Sequence, residues 1–313
     1  MITIRKAKFD APFLFFYAFF LFWIVYYIEI LNWRRFGMKK VLTILMSFIV
    51  FMLMMGIERT EVLAQEITFA DGYNGASLSN IEKYNISYAS REEEKVSING
   101  RLPEYYNLSD RQNTCANVAG AIVLGYYDKD FDELIENFTS ARVIRGRVTY
   151  YPQTQAVFDV MEELYGLMET NVTEGGTTVG NFKSGLQTYV ESHGRNVTYQ
   201  KAVEDFVLQD SIYADAIRTE RPVVLFVSKY TLIPIASFDA ETGFDEFEKQ
   251  HYFGNHMVVG YGLKTIRYYD SGGKMIQQLN LLEVATGYDH GSTGYILLDD
   301  YGKLIDGYVV NIF

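Results

Sequence analysis

Residues 11–28, APFLFFYAFFLFWIVYYI, carry no charge, and Glu29, Arg34 and Arg35 end the run. Eighteen apolar residues are long enough for a membrane-spanning helix and too uniform to lie on a domain surface. A second unit begins at Met38. Lys39 and Lys40 form a short basic region, VLTILMSFIVFMLMMG (41–56) an apolar one, and Val62-Leu63-Ala64 offers small residues before Gln65. That is the layout of a secretory signal peptide. Two readings follow. Either translation starts at Met38 and residues 1–37 are an upstream extension, or Met1 is real and the chain carries one or two membrane helices. Both export the remainder, as a secreted or membrane-anchored protein whose membrane contact is confined to the N-terminal segment.

The split changes the composition that matters. Residues 1–64 hold eight of the 28 basic residues and four of the 39 acidic ones, so 20 and 35 remain, about −15. An acidic surface resists aggregation and argues against nucleic-acid binding, which needs a basic face to displace phosphate counterions. One cysteine excludes a disulfide framework and a cysteine-rich zinc site. No metal-ligand spacing links the four histidines, and Thr173–Thr178 lacks the lysine of a phosphate loop. Asn-x-Ser/Thr matches at Asn85, Asn107, Asn137, Asn171 and Asn196 matter only in a glycosylating host.

Residues 65–100 are polar, with the charge run Arg91-Glu92-Glu93-Glu94-Lys95, and read as a loosely structured lead-in. Residues 101–313 read as one domain. Helical patterns cover Thr114–Tyr127, with Asn113 or Thr114 as cap, Gln155–Met168, Val179–His193 and part of Lys201–Thr219. Pro222 then opens a β-branched strand. His256–Tyr269 and Met275–Tyr288 flank a hairpin turn at Asp270–Lys274, and strands at Gly294–Leu298 and Gly307–Ile312 finish the chain. Helices followed by an antiparallel sheet give an α+β class.

Cys115 stands at the start of the most apolar helix, where the helix dipole and free N–H groups favour a thiolate and can bind an oxyanion. An unpaired cysteine in an exported chain reads as a reactive thiol or as a small buried apolar residue. A thiol nucleophile needs a base. His193 closes a helix, His251 lies in a charged stretch and His290 in a loop, whereas His256 heads the apolar run Met257–Gly262 and would be held rigidly.

These two stretches carry a resemblance. Asn113-Thr114-Cys115-Ala116-Asn117-Val118-Ala119-Gly120-Ala121-Ile122-Val123-Leu124-Gly125-Tyr126-Tyr127-Asp128 resembles the nucleophile helix of papain-fold cysteine peptidases, nearest the bacterial double-glycine leader (bacteriocin-processing) group. His256-Met257-Val258-Val259-Gly260-Tyr261-Gly262 is similar to that group's histidine motif. The resemblance spans 101–313. It implies a papain-like fold with the nucleophile helix packed on an antiparallel sheet, a peptide or protein substrate, and no cofactor. It departs in having Ala116 and Asn117 where the family often has Gly and Pro. Ser109 stands where the family's oxyanion-hole Gln usually lies, which leaves Gln112 or Asn113 as candidate donors.

In the papain fold the third member lies across a hairpin from the His. A two-residue Gly272-Gly273 turn would place Asp289 opposite His256, and a bulge or other turn would shift the register, with Thr286 as fallback. Asp270, some 14 residues along the strand, is out of reach. The expected site is therefore Cys115, His256 and Asp289, with Gln112 and Asn113 at the oxyanion. A hydrolytic peptidase, an acyl or peptidyl transferase on the same triad, and a non-catalytic surface-binding domain of papain fold are the competing functions.

Overall fold

In the computed structural model the chain divides into two units, Met1–Thr68 and Phe69–Phe313. The residues described are 75–107, 111–172, 175–234, 243–288, 293–298 and 302–313, all in the second unit. The apolar runs and the signal-peptide layout of residues 1–64 lie outside them. Among the described residues no helix is long and apolar enough to cross a membrane.

The chain is mixed helix and sheet. In order it forms β1 (Ser77–Ser87), β2 (Ser90–Ser97), α1 (Cys115–Asp128), β3 (Ala141–Ile144), β4 (Arg147–Tyr150), α2 (Gln155–Leu167), α3 (Val179–Ser192), β5 (Val197–Lys201), β6 (Val203–Glu204), β7 (Val207–Leu208), α4 (Asp210–Arg218), β8 (Val223–Pro234), β9 (Phe244–Tyr269), β10 (Met275–Ala285), β11 (Thr293–Leu297) and β12 (Gly302–Ile312). One antiparallel sheet runs β1-β9-β10-β11-β8-β12-β5, with β2 also on β9. The 26-residue β9 organises it. Its middle pairs with β8, its C-terminal half with β10, and β11 returns from β10 to β8. These four strands therefore form a closed circuit, whose small core holds Ile233, Ile266, Tyr268, Leu281 and Tyr295.

The main core lies between the helices and the sheet. All 14 residues of α1 are buried. A helix with no polar face has to be enclosed, and each buried Val, Leu or Ile contributes roughly 1.5–3 kcal/mol. Asp128 closes α1 with a buried carboxylate whose two oxygens accept the N–H groups of Ile135 and Ser140, each at 3.0 Å. The first five residues of β8, Val223–Val227, read as a continuous apolar run because both their faces are covered.

The expected lead-in is not loose: residues 77–97 are strands β1 and β2. The charge run of β2 alternates with period two, so Arg91 and Lys95 share a face. Arg91 reaches the buried Asp245 carboxylate at 2.7 Å and Lys95 the buried Glu283 carboxylate at 2.9 Å. Ser97 also donates to Glu283, at 2.6 Å. A buried carboxylate needs such partners, and β2 supplies them. The helix expected within Lys201–Thr219 is α4, and the β6–β7 hairpin precedes it.

Candidate functional site

The α1 N-terminus builds one half of the site. Asn113 is left-handed (φ 63°), a conformation asparagine tolerates, and turns the chain into the helix. Thr114 occupies the cap position without capping; its hydroxyl donates to Asn107 Oδ1 at 2.6 Å. Cys115 is the first helical residue and is only 3% exposed. The backbone N–H groups of Met257, Gly75 and Ala116 lie against its sulfur. Burial pushes the thiol up to about 11, and those N–H groups pull the other way without winning.

The other half comes from β9. His256, 2% exposed, pairs with Val227 of β8. Its Nε2 lies 2.8 Å from the Thr286 carbonyl oxygen. A carbonyl only accepts, so Nε2 carries the proton and Nδ1 keeps its lone pair. Nδ1 is buried and has no hydrogen-bond partner among the described residues. Burial lowers this imidazole to about 4, against the raising effect of the Thr286 bond. At neutral pH the pair is thus a neutral thiol and a neutral imidazole with one free basic nitrogen.

Aromatic rings fix the imidazole plane. Tyr288 stacks on it at 4.3 Å and 2°, and Tyr230 lies parallel at 6.0 Å. Tyr252 stacks on both tyrosines. The hydroxyls of Tyr230 and Tyr288 are 2.5 Å apart, and Tyr288 donates to the Ala76 carbonyl at 3.2 Å. With its one proton spent there, Tyr288 accepts from Tyr230. Burial raises both phenols, and the charge of Cys115 adds to each shift. The sulfur therefore shares its surroundings with the imidazole: the two rings parallel to His256, and the N–H of the residue after it.

The turn explains which residue faces His256. Asp270 pairs with Lys274 across a three-residue loop, Ser271-Gly272-Gly273, with Gly273 left-handed. The β9–β10 register starts at Tyr269↔Met275, slips before Gln277 and slips back at Glu283/Val284, ending at Val259↔Ala285. Continued, it sets Tyr288 opposite His256. Of the expected third members, Asp289 lies outside the described residues, and Thr286 contributes its carbonyl rather than its side chain. Gly287 makes this path possible. It is left-handed (φ 71°), and a Cβ there would stand 2.8 Å from Val118 Cγ1 of α1.

The two candidate oxyanion amides sit just before Cys115 in other company. Asn113 Nδ2 donates to Asn171 Oδ1 at 2.9 Å, and Asn171 Nδ2 returns to the Gln112 carbonyl at 3.1 Å. The Gln112 side chain is exposed. Ser109 and His290 lie outside the described residues. His193 caps its helix, bonding the Tyr189 carbonyl. His251 is half-buried, with Nδ1 at Thr231 Oγ1 and Nε2 at Glu82. The sequence reading missed Tyr230, Tyr252 and Tyr288. A register shorter by one would have found Tyr288; the other two carry no local signal.

No family model matches this chain, and no curated protein matches it. Among solved structures, the active wild-type interpain A cysteine protease of Prevotella intermedia is 13% identical, with a TM-score of 0.36 over 72% of this chain and 96% of that one. A likeness at that level leaves the functional reading to the residues themselves.

Proposed function

We propose that the chain is an exported cysteine peptidase of papain-like fold, near the double-glycine leader peptidase group, acting on a peptide or protein substrate. The observation that carries the reading is His256: a buried imidazole with its tautomer set by a carbonyl, its plane set by stacked rings, and its basic nitrogen unspent. Buried polar atoms are nearly always partnered, so an unpartnered one calls for a use. Cys115, at a helix N-terminus amid the same rings, supplies that use.

The Cys115 thiol gives its proton to His256 Nδ1 as the sulfur attacks the peptide carbonyl carbon. Backbone N–H groups at the start of α1 hold the oxyanion, with Gln112 and Asn113 as side-chain candidates. The C–N bond breaks, and Nδ1 returns the proton to the leaving amine. Water, deprotonated by the same nitrogen, then hydrolyses the thioester. Thr286 orients the ring through its carbonyl, and Asp289 is the side-chain candidate for that part. An acyl or peptidyl transferase would differ only in the nucleophile that resolves the thioester.

Cys115→Ala should abolish hydrolysis of an unstructured protein substrate while leaving the fold intact by circular dichroism. Undiminished hydrolysis would overturn the assignment. A second reading, a non-catalytic papain-fold binding domain, is favoured by one observation, the closed and neutral thiol. Iodoacetamide separates the two: a binder's thiol stays inert at neutral pH even with peptide substrate present.

A further inference from the structure

We infer that Asn171, in the loop after α2, is a positioning residue for the proposed reaction: it fixes the turn that delivers the oxyanion-binding N–H groups at the start of α1. The inference rests on the peptidase reading, which gives that turn its use.

The start of α1 is not fixed by its own cap. Thr114 makes no capping bond, and its hydroxyl is spent on Asn107. The three residues before it are held instead from α2 and the loop that follows. Arg111 pairs with Glu162 and lies over the Tyr165 ring at 4.4 Å. The Gln112 carbonyl accepts from Asn171 Nδ2 at 3.1 Å, and Asn113 Nδ2 donates to Asn171 Oδ1 at 2.9 Å. Asn171 Nδ2 also donates to the Tyr165 hydroxyl at 3.0 Å, and its Oδ1 accepts from the Gly176 N–H at 2.7 Å. Two donated and two accepted bonds exhaust an amide. Asn171 heads one of the Asn-x-Thr matches, and a glycan on Nδ2 would take away one of these donors.

Asn171 is solvent-exposed, so water could satisfy all four groups, and the bonds add little stability. What they set is geometry. Asn113 and Asn171 are both left-handed, φ 63° and 62°, and their amides join two turns that would otherwise stand alone. Further along α1 the wholly buried Asn117 donates to Thr170 Oγ1 at 3.1 Å, and Thr170 meets the Thr177 hydroxyl at 2.7 Å. That buried bond anchors the loop and gives a use to an asparagine where the resembled family often has proline. Asn171 extends the anchor to residues 112 and 113, beside the nucleophile. An oxyanion forms only in the transition state, so misplaced donors slow the chemical step without weakening substrate binding.

The test uses the full chain, in detergent to accommodate its apolar N-terminal stretch, with kcat and KM measured on a peptide substrate. Asn171→Gly removes the side chain and suits the φ of 62°. Asn171→Asp tolerates the same φ, keeps the acceptor for Asn113 and loses both donated bonds. It carries the test if circular dichroism shows the glycine variant unfolded. Each folded variant should lose about tenfold or more in kcat, with KM within about twofold of wild type. Amide exchange over residues 113–119 should quicken at least about fivefold. That stretch includes the first rung of α1, from the Val118 N–H to the Thr114 carbonyl. Asp128→Asn, at the other end of α1, is the control: it lowers stability and leaves kcat unchanged. A wild-type kcat or unchanged exchange in a folded Asn171 variant would overturn the positioning role. So would a loss of kcat in Asp128→Asn as large as in the Asn171 variants. Wild type without hydrolysis is a separate failure, which sinks the peptidase reading and the positioning role with it.

Discussion

The buried imidazole makes stability depend on acid in a way one substitution isolates. His256 titrates near 6.5 when exposed and at about 4 in the fold. Above pH 6.5 both states hold it neutral and its stabilising effect is complete. As pH falls, the unfolded chain takes up the proton first, so stability is lost between 6.5 and about 4. At 1.36 kcal/mol per tenfold difference, the loss from this one group is about 2 kcal/mol between pH 7 and pH 5, and about 3 kcal/mol by pH 4. His256→Gln cannot titrate, yet its amide still offers a donor to the Thr286 carbonyl. Urea unfolding of residues 69–313, followed by far-ultraviolet circular dichroism, gives the free energy of each protein at pH 7 and pH 5. Other groups titrate alike in both and cancel in the difference of differences. Wild type should lose about 2 kcal/mol more than His256→Gln over that interval. Equal losses would show that the imidazole is not buried and neutral, and the free Nδ1 on which the peptidase reading depends would fall with it.

Further outcomes follow from the same contacts. With the thiol held at about 11, Cys115 alkylation in wild type should keep rising with pH beyond 9, and a plateau by pH 8 would refute the buried thiol. Gly287→Ala puts a Cβ into Val118 and strains a left-handed residue, so it should cost about 1–3 kcal/mol by urea unfolding and slow peptide hydrolysis by displacing the Thr286 carbonyl. A wild-type unfolding midpoint would contradict the packing of that turn on α1. Asp128→Asn sets an amide against the two N–H groups of Ile135 and Ser140 and should cost about 1–3 kcal/mol, read as a lowered thermal midpoint.

Much of the helical layer is legible in the residues. Three expected helices match α1, α2 and α3 to within a residue or two, because 3.6-residue periodicity and terminal signals such as Gly194 are local. The strand after Pro222 was equally clear from its β-branched run. The lead-in was not, since Arg91–Lys95 looks like a solvated charge run until Asp245 and Glu283, some 150 and 190 residues away, are brought against it. The turn was misjudged by one residue, and in a strand one residue decides which side chain meets the histidine.

The sequence by itself determined the two candidate positions: one cysteine at the head of an apolar helix, and one histidine heading an apolar run. Those are statements about local pattern, and local pattern is what a sequence holds. Only the tertiary structure decided what surrounds them. Bulges that cancel along β9 and β10 bring the Tyr288 ring against the imidazole. The path through Gly287 brings a carbonyl to Nε2. The N–H of Gly75, 40 positions before the cysteine, comes against its sulfur. Each depends on strand register and on contacts between distant segments, which are set by how the whole core packs.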